Sequence, residues 1–216
     1  MDRTARAPSA GSGPGAAPGV PSGWALTGWI ALALLAASAV HFALMGTGVE
    51  GVRGWIRATA RSSLLLFLLA FCARPLRQLW RAPLSAWLLR NRRYLGVGFA
   101  CSHALHGVAI LWFAFVWPEI YQADTTTLVA GGVTYVFIAL MTATSSDRAF
   151  AWLGRARWQA LHRTGVWTIW FVFLATFGGQ AAASPIHAGS VALLLAAAGL
   201  RLAAYLRRRR RTPAPA

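Results

Sequence analysis

Residues 96–113 read "GVGFACSHALHGVAILWF". His103 and His106 sit three apart in a run that is otherwise apolar or small. Imidazole is costly to bury in hydrocarbon without a partner. Widened to Leu95–Trp117, the run is long enough to cross the hydrocarbon layer, which takes about 20 residues as a helix. The stretch therefore reads as a membrane-spanning helix with two polar groups inside it.

Five more apolar runs surround it: Trp24–Met45, Trp55–Ala73, Thr126–Thr144, Leu161–Gly178 and Ile186–Tyr205. Hydrophobic residues make up 57% of the 216 and charged ones only 12%, a balance far from that of a soluble domain. The fold class is an all-α, polytopic membrane bundle of about six helices. Arg57 and Arg61 fall in the first turns of the second run, which makes it the weakest of the six. Residues 1–22 are small and rich in Pro and Gly, which reads as a disordered tail. Arg6 lies far from Trp24, which argues against a signal peptide. Residues 23–206 form the bundle, and 207–216 a basic, disordered tail.

All 21 basic residues are Arg, against five acidic ones, for a net charge of +16. The arginines lie between apolar runs rather than along one soluble face, which excludes a nucleic-acid partner. They read instead as topology signals. They crowd the connection after the second run (Arg74 to Arg93), the one after the fourth (Arg148, Arg155, Arg157) and the C-terminal end (Arg207–Arg211). The connection after the third run carries Glu119 and Asp124 and no basic residue. That alternation puts both termini in the cytoplasm; Arg53, Arg57 and Arg61 are the exceptions. Trp24, Trp55, Trp117 and Trp158 fall at run ends, where an amphipathic ring suits the headgroup level. Cys72 and Cys101 form neither CxxC nor CxxCH, so zinc and c-type haem attachment are unsupported.

Residues three apart on a helix share a face, so His103 and His106 look the same way. His162 sits in "WQALHRTGVW", on the fifth run, which crosses in the same direction as the third. Imidazoles on facing helices of a bundle suit a b-type haem, whose iron takes an axial ligand from each side. Counting at about 1.5 Å per residue puts His103 about 12 Å past Leu95, His106 about 16 Å, and His162 only about 7 Å past Arg157. The count favours His103 as the partner of His162. The competing reading is that buried histidines simply hydrogen-bond neighbouring helices. His41 and His187 lie near run ends and read as interfacial hydrogen-bonding residues.

"RNRRYLGVGFACSHALH" and "LGRARWQALHRTGVW" together resemble the ferric-reductase-like transmembrane domain family. The nearest branch supplies the haem-binding subunit of periplasmic methionine sulfoxide reductase systems. That branch has an "RRxLG" entry to its third helix with a histidine ten residues on, matched here by Arg92, Arg93, Leu95, Gly96 and His106. It also has "LGRRWxxLHRLxY" before its fifth helix, matched with one inserted residue and placing His162 at the ligand histidine. "LMTATSSD" resembles the end of its fourth helix. The resemblance covers roughly residues 45 to 178. It implies a haem b oxidoreductase component held by His106 and His162, with His103 in reserve. The family often has a second histidine about thirteen residues after the first; here Ala175 and Thr176 stand there, which implies one haem.

The expected function is thus membrane electron transfer in the bacterial inner membrane. A flavin reductase, flavin, quinol or quinone would donate on the cytoplasmic side, and a partner reductase or other acceptor would receive on the outer side. Arg57 and Arg61, four apart, could hold haem propionates or an anionic substrate, or snorkel to headgroups. The rival class is a cofactor-free small transporter or assembly factor with proton-handling histidines. A transporter would more often show matched broken helices, and the sequence shows no such symmetry.

Overall fold

The structure is a computed structural model and describes residues 20–211. It is all-helical, with no strand among the described residues. The helices are α1 (Trp24–Met45), α2 (Val49–Leu79), α3 (Pro83–Val116), α4 (Thr125–Ala143), α5 (Asp147–Leu153), α6 (Arg155–Gly178) and α7 (Pro185–Arg211). Five of them, α1, α2, α3, α4 and α7, are long and apolar enough to cross a membrane. Their outer faces are what lipid requires. Leu32, Leu35, Val40 and Leu44 of α1 are all more than half exposed, as are Val108, Leu111 and Phe115 of α3. Water would not tolerate that much contiguous apolar surface. The protein is a multi-pass integral membrane protein.

Antiparallel α2 and α3 form the centre. α1 packs against both, α4 against α3 and α6, and α7 against α2 and α6. The main core is rich in aromatic rings: Phe67 and Phe71 from α2, Phe99 from α3, and Trp170, Phe173 and Phe177 from α6, with Ile169 among them. A hydroxyl seam runs between α2 and α3. Ser62 and Ser63 both pair with Ser102, at 2.8 and 3.0 Å. Without a hydrophobic drive between helices in lipid, small residues and such hydrogen bonds hold the pair together.

The helices outrun the apolar stretches. The arginine-rich connection expected after the second run is almost wholly helical, and only residues 80–82 separate α2 from α3. Apolarity marks the part of a helix in lipid, not where the helix stops. The sharp turn between α1 and α2 has a local cause. Gly46 ends α1 at φ 68°, a left-handed conformation that favours glycine. Gly51 then lets the first turn of α2 lie directly on the Gly46 carbonyl, where a Cβ would overlap it.

Trp55, expected at the headgroup level, is buried instead, with Nε1 donating to Ser38 Oγ at 2.9 Å. The reason is that α2 starts six residues before it, which carries the ring into the α1–α2 contact. Arg207–Arg211, read as tail, are the last turns of α7. Residues 1–19 and 212–216 of the expected tails lie outside the described residues. One end of the bundle gathers the arginines. There Gly23 N donates to Asn91 Oδ1 (3.0 Å), Arg93 pairs with Asp147 (2.8 Å) and Arg207 donates to the Leu79 carbonyl (3.0 Å). The beginning of α1 and the end of α7 therefore lie at the same end.

Candidate functional site

α3 places His103 and His106 side by side, with ring centroids 5.2 Å apart. His103 is buried among Phe99, Tyr135 and Phe173, at 5.5, 4.9 and 5.9 Å. Its Nδ1 is buried with no hydrogen-bond partner. Tyr135 reaches across from α4, and its hydroxyl donates to the His103 carbonyl at 3.1 Å. Gly107 makes room for that reach, since a Cβ there would meet the Tyr135 hydroxyl at 2.8 Å.

His106 is oriented differently. Its Nδ1 lies 3.2 Å from the Ile56 carbonyl and 3.2 Å from Thr59 Oγ1. The Thr59 hydroxyl donates to the Trp55 carbonyl at 2.8 Å, so its oxygen is left as an acceptor. Both partners of Nδ1 then accept, which puts the proton on Nδ1 and leaves the Nε2 lone pair open. A backbone carbonyl holding one ring nitrogen is how a histidine is prepared to bind metal through the other.

His162 stands on α6, stacked on Trp158 at 4.0 Å and 24°. Its Nε2 lies 3.2 Å from Thr144 Oγ1, whose own proton goes to the Leu140 carbonyl at 2.7 Å. To offer Nε2 to a metal, His162 must release Thr144. A cavity of about 370 Å³ opens beside it, walled by Phe67, Gly96, Phe99, Met141, Val166 and Ile169, with Arg90, Arg92 and Arg93 also on its surface. That volume is in the range of cofactor and ligand sites. Arg93 holds Asp147 of α5 beside the cavity, and Arg92 Nε donates to the Ala70 carbonyl at 3.2 Å.

His103 and His106 do not line this cavity. Phe173, at the level of His103, lies about three turns of α6 beyond His162, roughly 16 Å along the axis. Imidazoles on opposite faces of one porphyrin are separated by only two iron–nitrogen bonds. The structure therefore unites His103 with His106 and sets His162 apart at another depth. His106 and His162, expected on one ring, each keep their own hydrogen-bond partners here, and only His162 lines the cavity. At the level of His103 the residue that α6 turns to α3 is Phe173, packed with Phe67 and Phe99. Among the described residues no cluster of three or more His, Cys, Asp or Glu could hold a bare metal ion.

Arg57 and Arg61 are exposed and absent from the cavity wall. The face of α2 that meets His106 carries Ile56 and Thr59 instead. Their position supports the snorkelling reading over a propionate contact. His41 Nε2 donates to the Gly51 carbonyl at 2.8 Å, a structural contact at the α1–α2 turn. The sequence reasoning passed over Trp158, Thr144 and Tyr135 as site residues. Trp158 was legible, since it precedes His162 by one helical turn. Tyr135 carried no such signal, because only packing brings α4 to His103.

No family model matches the chain, and no solved structure matches it. Three curated relatives do, each named as the haem-binding subunit MsrQ of protein-methionine-sulfoxide reductase. The one from Azospira oryzae is 31% identical over 124 residues, 54% of this chain and 50% of its own length. The one from Polaromonas naphthalenivorans is 27% identical over 157 residues, 68% of this chain and 70% of its own. The one from Rhodospirillum rubrum is 28% identical over 182 residues, 78% of this chain and 81% of its own. The chain is similar to MsrQ. It spans half the length of the Azospira relative and most of the other two. The motifs around His106 and His162 pointed to the same branch, and MsrQ is named for binding haem, the group to which buried imidazoles are suited.

Proposed function

We propose that the chain is a haem b electron-transfer protein of the bacterial inner membrane, an oxidoreductase component working with partner proteins. The observation that carries this is His162 in a cofactor-sized cavity, in a chain similar to named haem-binding subunits. On this reading His162 holds the iron and Trp158 keeps its ring in place. Phe67, Phe99 and Ile169 keep water out, and Arg90, Arg92 and Arg93 offer charge to the propionates. Haem, when bound, supplies a one-electron iron couple whose potential follows from axial ligand and burial. His106, with Nε2 open, is prepared to bind metal on a second level. His103, between the two levels, is the reserve imidazole.

α6 is the sixth span in this proposal. Its 24 residues reach about 36 Å, enough for the hydrocarbon layer despite Arg155, Arg157 and Arg163 near its start. Six spans with the arginine-rich end inside put both termini in the cytoplasm. Electrons would enter there from a flavin enzyme or quinol and leave to an acceptor or partner reductase on the outer side.

The test is a reduced-minus-oxidised spectrum of the purified protein with single variants. His162→Ala is expected to remove a b-type band, and His106→Ala to leave the His162-bound haem in place. Equal loss in both variants would mean one ring shared by both histidines and would overturn the assignment by depth. Redox titration is expected to give one potential from the cavity haem. A colourless protein after expression with ample haem would favour the cofactor-free rival.

A further inference from the structure

The hydrogen bonds between α2 and α3 fix the depth of the residues along α2. Thr59 meets His106, Ser62 and Ser63 meet Ser102, and the Ala70 carbonyl meets Arg92. Arg61 lies between the first two of these contacts, and so level with His103. Ten residues separate Arg93 from His103, about 15 Å, and fourteen more reach Trp117, about 21 Å further. Arg61 therefore sits near the middle of the bilayer, and Arg57 about one turn closer to the Trp117 end. Each is two residues from Thr59, about 200° round the helix, so both face away from His106 and α3. That face of α2 is uncovered: Arg57, Ala58 and Arg61 are exposed, and Leu65 is 59% exposed. No ion pair or hydrogen bond among the described residues involves either arginine.

An arginine at that depth is costly and is found where another group pairs with it. We propose that this face docks a transmembrane helix of another membrane protein, one that carries Asp or Glu near its own centre. A lipid phosphate does not serve Arg61, because headgroups begin about 15 Å from the bilayer midplane, further than one side chain can snorkel. Snorkelling relieves Arg57, one turn nearer the surface, more than Arg61. A second copy of the chain does not serve either. Its described acids, Glu50, Glu119, Asp124 and Asp147, lie at helix starts or in a connection, and none stands at the depth of Arg61. Ala58, on the same face, has no bulk to hold a neighbouring backbone away. Guanidinium forks match a carboxylate, and one lodged between the two arginines also offsets their repulsion at i, i+4. The inference is independent of haem binding, since it rests on the α2–α3 register and the exposure of one helix face.

The experiment places the full chain in phosphatidylcholine vesicles with a dye-labelled poly-leucine transmembrane peptide carrying one central Glu, against the same peptide carrying Gln. Energy transfer from the labelled chain reads association. The Glu peptide is expected to associate about tenfold more tightly. Arg61→Gln is expected to remove most of that preference. Both arginines are exposed, so the double variant Arg57→Gln, Arg61→Gln keeps the core packing and is expected to abolish it. Arg155→Gln, exposed at the start of α6, is expected to change nothing. Equal association of the two peptides, or a Glu preference that survives the double variant, overturns the proposal. With the peptides equal, self-association of the full chain lost in the double variant would reassign the face to a second copy. A preference for phosphatidylglycerol over phosphatidylcholine lost in that variant would reassign it to lipid.

Discussion

A histidine in a membrane interior is defined by its second nitrogen. His106 spends Nδ1 on the Ile56 carbonyl and keeps Nε2, whereas His103, one turn away on the same face, leaves Nδ1 unpartnered. The sequence made the shared face legible, because a spacing of three settles it. It could not show which ring is anchored, because the anchor belongs to α2. Phe99 is the residue between the two levels, touching His103 on one side and the cavity on the other. Phe99→Ala is expected to cost about 3–5 kcal/mol and to open the cavity toward His103. Phe99→Leu is expected to cost less than about 1.5 kcal/mol. Thermal unfolding in detergent measures both, and equal midpoints for the two variants would contradict the packing role given to the ring.

At the level of elements, the turn between α1 and α2 depends on one close approach. Gly51→Val drives a side chain into the Gly46 carbonyl, and overpacking of this kind costs about 1–3 kcal/mol. A lowered midpoint with an unchanged absorption spectrum is the expected outcome. The start of α4 depends on Asp124, which accepts from Thr127 N and the Thr127 hydroxyl at 2.9 and 2.7 Å. Those bonds hold its carboxyl below the ordinary range. Its contribution is present above the unfolded-state value near 4 and is lost as pH falls through the lower folded value. Asp124→Ala is expected to speed amide exchange at Thr127 at neutral pH and to flatten the acid dependence of that exchange. The sequence reading took Asp124 only as an acid in the connection, although an Asp just before the first periodic residues, as in "ADTTT", is the signal that could have found the cap. α5 carried no such signal, because a seven-residue helix tethered by Arg93 has too little pattern of its own.

For the molecule as a whole, the run lengths and the arginine distribution made the all-helical membrane architecture readable. Counting from Leu95 and Arg157 led the sequence reading to favour His103 as the partner of His162, on the expectation of one ring between α3 and the fifth run. What the count could not supply was the relative height of α3 and α6, which the Phe67–Phe99–Phe173 packing decides. Topology follows as a prediction. With Cys72 and Cys101 replaced by Ser, Glu119→Cys is expected to react with an impermeant maleimide from outside the cell, and Ala82→Cys only after lysis. Labelling of Ala82→Cys in intact cells would invert the orientation and void the cytoplasmic placement of the donor.

The connection between α2 and α3 is only residues 80–82; it contains Arg81 and is flanked by Arg74, Arg77, Arg90, Arg92 and Arg93. On the proposed topology that turn lies on the cytoplasmic side, and its arginines mark the depth at which both helices leave the hydrocarbon. Dragging even one of those guanidinium groups through the bilayer centre costs about 2.5–3.5 kcal/mol by insertion scales. The same cost keeps the turn on its own side, so neither helix can slip deeper without taking arginines with it. The histidine pair and the carbonyl that steers His106 are thus held at one depth by charge at the turn as well as by the serine seam.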